Sequence, residues 1–239
     1  MKRTLLIGMF LALLTSFVFA NEVIKREFDV SSGKKLVLET EIGGDIYIKG
    51  TDKDKIEVKA EVYRIDEDDY EINFDKYSSG LTITVDKKGS WRKRKGGDID
   101  FSIKVPHEFD VEVESAGGSV VIENIRGKAS GRTGGGSLDF SDIEGDVDFR
   151  TMGGSIDVRR ATGHLDMETM GGSIRVTDSK VDGKVKTMGG SIRIEDVDGD
   201  LDGSTMGGSV TYRNVTGKSS SSVKKPLHIK TMGGQYRGG

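Results

Sequence analysis

The tetrapeptide Thr-Met-Gly-Gly opens at Thr151, Thr169, Thr187, Thr205 and Thr231, with degenerate copies opening at Ser115 and Thr133. From Ser115 through Thr205 the step is 18 residues every time. A strict period of this length means that the chain stacks equivalent coils, each of which buries its apolar face against its neighbours. The last step, Thr205 to Thr231, is 26 residues, so eight extra residues loop out between Gly217 and Leu227.

The unit divides again. Met152-Gly-Gly154-Ser-Ile156-Asp-Val158-Arg-Arg160 aligns with Ala161-Thr-Gly163-His-Leu165-Asp-Met167-Glu-Thr169, a nine-residue half-repeat of the form apolar, x, Gly, x, apolar, x, apolar, x, x. Positions five and seven are apolar and position six is mostly polar or charged, the alternation of a strand with one buried face. The expected fold is therefore all-β: a parallel β-solenoid of 18-residue coils, each made of two nine-residue half-coils carrying one short strand apiece. Glycine at position three falls where the chain turns between faces and where positive φ meets no Cβ clash.

The N-terminus reads as a secretory signal peptide over residues 1–20: Met1-Lys2-Arg3, an apolar run from Leu5 to Phe19, and Ala20 as the small residue before cleavage. Removing Lys2 and Arg3 leaves 34 basic against 39 acidic residues, a formal charge of −5, which argues against nucleic-acid binding. No second apolar run approaches transmembrane length. The chain has no cysteine, which excludes disulfides, zinc–thiolate sites and thiol nucleophiles together.

Residues 21–106 carry longer alternating strands at Leu36–Leu38, Ile46–Ile48, Ile56–Val62, Ile72–Phe74, Leu81–Val85 and Ile99–Val105, read as a sheet that caps or elaborates the solenoid of residues 107–239. Ile42-Gly43-Gly44-Asp45-Ile46-Tyr47-Ile48 already has the form of a coil. The strands between it and Ser115 are thus expected as an elaboration within one stack, and 21–239 can also be read as a single continuous domain.

Stacking turns each repeat position into a column of residues about 4.8 Å apart. The methionine column runs through Met152, Met170, Met188, Met206 and Met232. Thioethers favour Cu(I), but these methionines share the phase of Ile143, Ala161 and Val197, so they are expected in the core as adaptable apolar filler. The serine column (Ser119, Ser137, Ser155, Ser173, Ser191, Ser209) and the threonine column (Thr133, Thr151, Thr169, Thr187, Thr205) are expected to satisfy backbone groups at the turns. Asp139, Asp157, Arg175, Arg193 and Thr211 form a sixth-position column whose arginines interrupt any calcium platform; solvated ion pairs that hold register are expected instead, Asp157 adjoining Arg175. Phe140, Phe149 and Tyr212 should point inward.

His107, His164 and His228 lie at unrelated phases, so no catalytic constellation, metal site or cofactor site is expected. Asp66-Glu67-Asp68-Asp69 is read as a solvated hairpin loop. The most distinctive element outside the repeat is Gly89-Ser90-Trp91-Arg92-Lys93-Arg94-Lys95-Gly96-Gly97, with the only tryptophan beside four consecutive cations. Trp91, Arg92, Lys93, Arg94 and Lys95 are the candidate contact with an anionic surface or an acidic partner. At the other end, Ser219–Pro226 is positioned to fold over the last coil; an uncovered strand edge there would favour end-to-end self-association.

Val105-Pro106-His107, then Val111-Glu-Val113-Glu-Ser115-Ala-Gly-Gly118-Ser-Val120 and the repeated Gly-Gly-Ser-Ile carry a resemblance. From about Phe28 to the C-terminus the chain resembles the bacterial putative-adhesin family of extracytoplasmic β-solenoids, the toast-rack domains. The resemblance implies a secreted or periplasmic solenoid, with relatives linked to envelope-stress systems and no catalytic residues to carry over. The resulting expectation is a non-enzymatic structural or adhesin-like binding surface in the cell envelope, contacting an envelope component or a protein. The alternative is a sensory or regulatory envelope-stress module that binds a membrane protein. A polysaccharide-active enzyme would require a carboxylate or histidine cluster that the columns do not supply.

Overall fold

A computed structural model describes residues 22–88, 96–217, 229–231 and 236–238. Residues 1–20, read above as a signal peptide, Trp91–Lys95 and the Ser219–Pro226 insertion lie outside the described residues.

The 18-residue period becomes a register. Strands β8 (Phe109–Ser115), β9 (Val120–Arg126), β10 (Ala129–Thr133), β11 (Leu138–Thr151), β12 (Ile156–Thr169), β13 (Ile174–Thr187), β14 (Ile192–Asp198), β15 (Leu201–Thr205) and β16 (Val210–Thr216) climb the solenoid in chain order. Each pairs in parallel with the strand one period away, as Leu138↔Ile156, Ile156↔Ile174 and Ile174↔Ile192. Two sheets result. One carries the strands that end at the threonines, the other those that begin after Gly-Gly-Ser. Their inward residues at positions five and seven, such as Ile156, Val158, Leu165 and Met167, form one buried core. Phe140, Phe149 and Tyr212 are buried as expected, and the Phe140 and Phe149 rings lie 4.8 Å apart. The 26-residue step is also real in register: β17 (Ile229–Thr231) and β18 (Tyr236–Gly238) continue the stack, with Thr205↔Thr231 and Val210↔Tyr236.

The two corners of a coil differ. In β11, β12 and β13 the strand runs unbroken for 14 residues around one corner, rather than as two short strands. That corner is made by a ninth-position residue in the left-handed conformation: Asn124, Asp142, Arg160, Asp178, Asp196 and Asn214, with φ between 50° and 61°. Asparagine and aspartate tolerate this region better than other non-glycine residues. Gly163, three residues beyond Arg160, follows at φ 134°, as the half-repeat predicts. At the Thr-Met-Gly-Gly corner a different constraint acts on position three. A Cβ on Gly154 would sit 1.9 Å from the carbonyl oxygen of Gly136 in the coil below.

The N-terminal strands join the same stack out of chain order. Strand β2 (Lys34–Thr40) pairs in parallel with β8, and β3 (Ile46–Thr51) with β9, so the coil around Ile42–Ile48 lies directly on the first regular coil. On its other side lie β6 (Gly80–Lys87), parallel to β2, and β7 (Asp98–Pro106), parallel to β3. Antiparallel strands close this end: β5 (Tyr70–Tyr77) on β6, β4 (Lys55–Tyr63) on β7, and β1 (Glu22–Asp29) outside β4. The acidic run Asp66–Asp69 is exposed or half-buried, but it is a 3₁₀ turn at Glu67–Asp69 and not a hairpin tip. Its flanking strands β4 and β5 pair with other partners, because β4 belongs to one sheet and β5 to the other.

Candidate functional site

The edge built by the Thr-Met-Gly-Gly corners departs most from the sequence expectation. Along β12 the alternation places Leu165, Met167 and Thr169 inward. Period two then sends the next residue outward. Thr151, Thr169, Thr187 and Thr205 are therefore buried, and Met152, Met170, Met188 and Met206 are 61%, 48%, 45% and 48% exposed. The methionine column is not core filler. The comparison with Ile143, Ala161 and Val197 misleads because the left-handed residue at the opposite corner breaks the alternation and turns the first-position residue in.

The buried threonines do turn chemistry, as expected. Thr151, Thr169, Thr187 and Thr205 Oγ1 donate to the carbonyls of Gly136, Gly154, Gly172 and Gly190 one coil below, at 2.9, 2.7, 2.7 and 2.7 Å. Each hydroxyl also accepts an amide of its own corner, Gly172 N–H donating to Thr169 Oγ1 at 3.3 Å. On the outer side, the Ser173 and Ser191 amides donate to Ser155 and Ser173 Oγ at 3.3 and 3.2 Å. The corners are thereby stitched coil to coil, with Met170 N–H on Thr151 O at 3.3 Å and Met188 N–H on Thr169 O at 3.2 Å.

Beside the methionines runs an open groove of about 670 Å³. Glu112, Glu114, Arg132, Asp148, Arg150 and Glu168 line it together with Met152, Met170 and Met188. Its charges pair along the column direction: Arg132 with Glu114 at 2.8 Å and Arg150 with Glu168 at 3.5 Å. The same one-period pairing joins Arg160 to Asp142, at 2.7 and 2.8 Å, and Lys184 to Asp166, at 2.7 Å. The Arg160 guanidinium holds the Asp142 carboxyl below the usual carboxylate range. Asp157 stands in register with Arg175, but its ion pair is with Arg159 at 3.4 Å, and Arg159 also bonds Asp139 at 2.8 Å. Burial nevertheless raises the Asp139 carboxyl, outweighing that arginine. Near the antiparallel cap, Lys53, Lys55 and Lys104 converge on Glu57 and hold it at about 2. Burial, reinforced by the Glu123 carboxylate, pushes the Tyr47 phenol up to about 12.

The two described histidines have separate surroundings. His164 is exposed in the column of Asp146 and Asp182. His107 contacts Asn124 O through Nδ1 at 3.0 Å and Asp52 through Nε2 at 3.1 Å. Among the described residues no group of three or more histidine, aspartate or glutamate side chains is arranged to hold a metal ion. His228 and the candidate contact Trp91–Lys95 lie outside the described residues. The flanks of that segment are placed: β6 ends beside β2, with Val85↔Thr40, and Ile99 N–H donates to Gly43 O at 2.9 Å. These flanks lie at the edge where the later coils carry Thr-Met-Gly-Gly, Thr40 standing in register with Ser115. Sequence comparison missed this, because nothing in residues 88–97 resembles the corner motif.

No helix among the described residues is long and apolar enough to cross a membrane. Solved structures resemble the chain at low identity. A Bacteroides fragilis NCTC 9343 protein described as a putative adhesin is 17% identical, with a TM-score of 0.50 over 91% of this chain and 95% of its own. Two Parabacteroides distasonis ATCC 8503 proteins, one described as a putative adhesin and one as a putative lipid binding protein, are 11% and 10% identical. Their TM-scores are 0.49 and 0.39, each over 90% of this chain and 96% of theirs. No curated protein matches the chain. The family model of the Toastrack DUF4097 domain matches residues 33–234, nearly all of the stack from β2 onward, and the chain belongs to that family.

Proposed function

We propose that this chain is a non-enzymatic, extracytoplasmic solenoid that offers a binding surface in the bacterial cell envelope. The observation that carries this reading is the exterior itself. Charged side chains stand in ion-paired columns on extended sheet faces, and the groove along the corner edge opens to solvent. Such a surface suits contact with an extended partner better than it suits enclosure of a reacting molecule. The adhesin names of the structural neighbours point the same way, as does the apolar N-terminal leader.

Trp91, Arg92, Lys93, Arg94 and Lys95 are the proposed contact residues, because an aromatic side chain beside four cations suits an anionic surface. The test is sedimentation of the purified chain with envelope fractions and with vesicles containing anionic phospholipid, beside a variant in which Trp91–Lys95 is replaced by Gly-Ser. Salt-sensitive binding that the variant loses supports the reading. Equal binding by both proteins overturns the assignment to this segment. Saturable, stoichiometric capture of a single membrane protein would favour a sensory module over a general adhesive surface.

A further inference from the structure

Apart from Met1 and Met9 in the leader, the chain has six methionines, and five of them occupy one column. The sixth, Met167, is buried. Elsewhere the interior is filled with isoleucine, valine, leucine and phenylalanine, so methionine is not this chain's general apolar residue. Among the described residues the exposed large apolar side chains are Val23, Tyr77 and the four corner methionines. The ladder is also bounded. The two preceding corners carry Ala116 and Gly134.

We infer that the ladder Met152–Met170–Met188–Met206 is a binding site for a soft monovalent cation, Cu(I), with Ag(I) as its redox-inert analogue. Thioethers are neutral soft donors that select Cu(I) over the harder divalent ions. The chain contains no cysteine thiolate to compete for the ion. Spacing supports the assignment. Corner hydrogen bonds lock neighbouring rungs in register, Gly189 N–H on Met170 O at 3.1 Å among them. That puts successive methionines about 4.8 Å apart. A zinc–thiolate bond is about 2.3 Å, and two metal–sulfur bonds of similar length in line span about the rung spacing, so an ion between two rungs can bridge neighbouring thioethers. Each methionine is about half exposed or more, so its thioether is open to solvent, and each is followed by a glycine that adds no side chain beside it. Met152, Met170 and Met188 line the same groove as the charged Arg150 and Glu168.

The inference stands apart from the envelope-contact reading and is tested on the purified full chain alone. Under anaerobic, reducing conditions the protein is titrated against the Cu(I)–bicinchoninate complex, beside M152L/M170L/M188L/M206L. Leucine keeps the apolar surface and removes the sulfur, and because these positions are exposed the variant should retain the wild-type circular dichroism spectrum. The expected result is withdrawal of Cu(I) from the chelator by the wild type and at least a tenfold loss of affinity in the variant. In a parallel NMR titration with Ag(I), the ladder methyl resonances should shift while that of buried Met167 stays fixed. Equal competition by both proteins, or Cu(I) left with the chelator by the wild type, overturns the inference.

Discussion

Substituting Thr169 by valine isolates the hydroxyl ladder from the packing around it. Thr169 is fully buried, and its hydroxyl donates to Gly154 O at 2.7 Å and accepts from Gly172 N–H at 3.3 Å. Valine fills nearly the same volume and leaves both backbone groups without that partner. Each orphaned group costs about 1–3 kcal/mol, and the half-buried glycines belong at the low end. Two such losses amount to about 2 kcal/mol, of which the extra buried methyl returns at most about 0.8 kcal/mol. The net expectation is a loss of about 1–1.5 kcal/mol, or a melting temperature lower by about 2–6 °C for a chain of this size. Urea denaturation should show a lower midpoint at an unchanged slope. Thr162 lies on the same strand with its side chain exposed, so T162V should stay within about 0.5 kcal/mol of wild type. If T169V proves as stable as wild type or as T162V, the threonine column does not hold the corners together and the argument fails.

Other perturbations follow from the same geometry. G154A drives a Cβ to 1.9 Å from Gly136 O, so the coils must separate; a loss of about 3 kcal/mol or more is expected, seen as aggregation on size exclusion or a collapsed thermal transition. At Asp178, φ 51°, valine should cost about 1–2 kcal/mol while asparagine stays near neutral, and matched thermal melts would separate the two. Lys53, Lys55 and Lys104 depress Glu57 from 4.5 to about 2, so its contribution is present above 4.5 and is lost as pH falls toward 2. The urea midpoint of E57Q should therefore lie below wild type at pH 6 and converge with it by pH 2, by a modest margin because the cluster faces solvent.

Most of the stack was legible because a period is a register. Leu138, Ile156, Ile174 and Ile192 pair as the 18-residue step dictates, and the coil around Ile42–Ile48 was recognisable from its Gly-Gly and alternation alone. The methionine ladder was misread because the half-repeats were treated as equivalent. Continuing the alternation from Leu165 through Thr169 would have placed Met170 outside. The signal for the opposite corner was also present, as asparagine or aspartate at Asn124, Asp142, Asp178, Asp196 and Asn214, with Arg160 the exception. What one-dimensional spacing could not show is that β6 and β7 form a coil beneath β2 and β3, since their corner carries no repeat motif and they follow in sequence the strands they precede in space.

That inverted placement sets an order of assembly. Regular coils close on residues 18 positions away, whereas Leu36 finds Val111 across 75 residues. Loop closure grows by about 0.6 kcal/mol per doubling of length, so this pairing carries roughly 1.2 kcal/mol more entropy than each later one. As the chain emerges, β2 and β3 wait with both edges bare until residues 80–126 arrive. The repeats beyond them add one rung at a time without waiting for that closure. Nucleation belongs among the cheap local closures of the repeat, and the N-terminal cap, with its long-range pairings, is the slow step of folding.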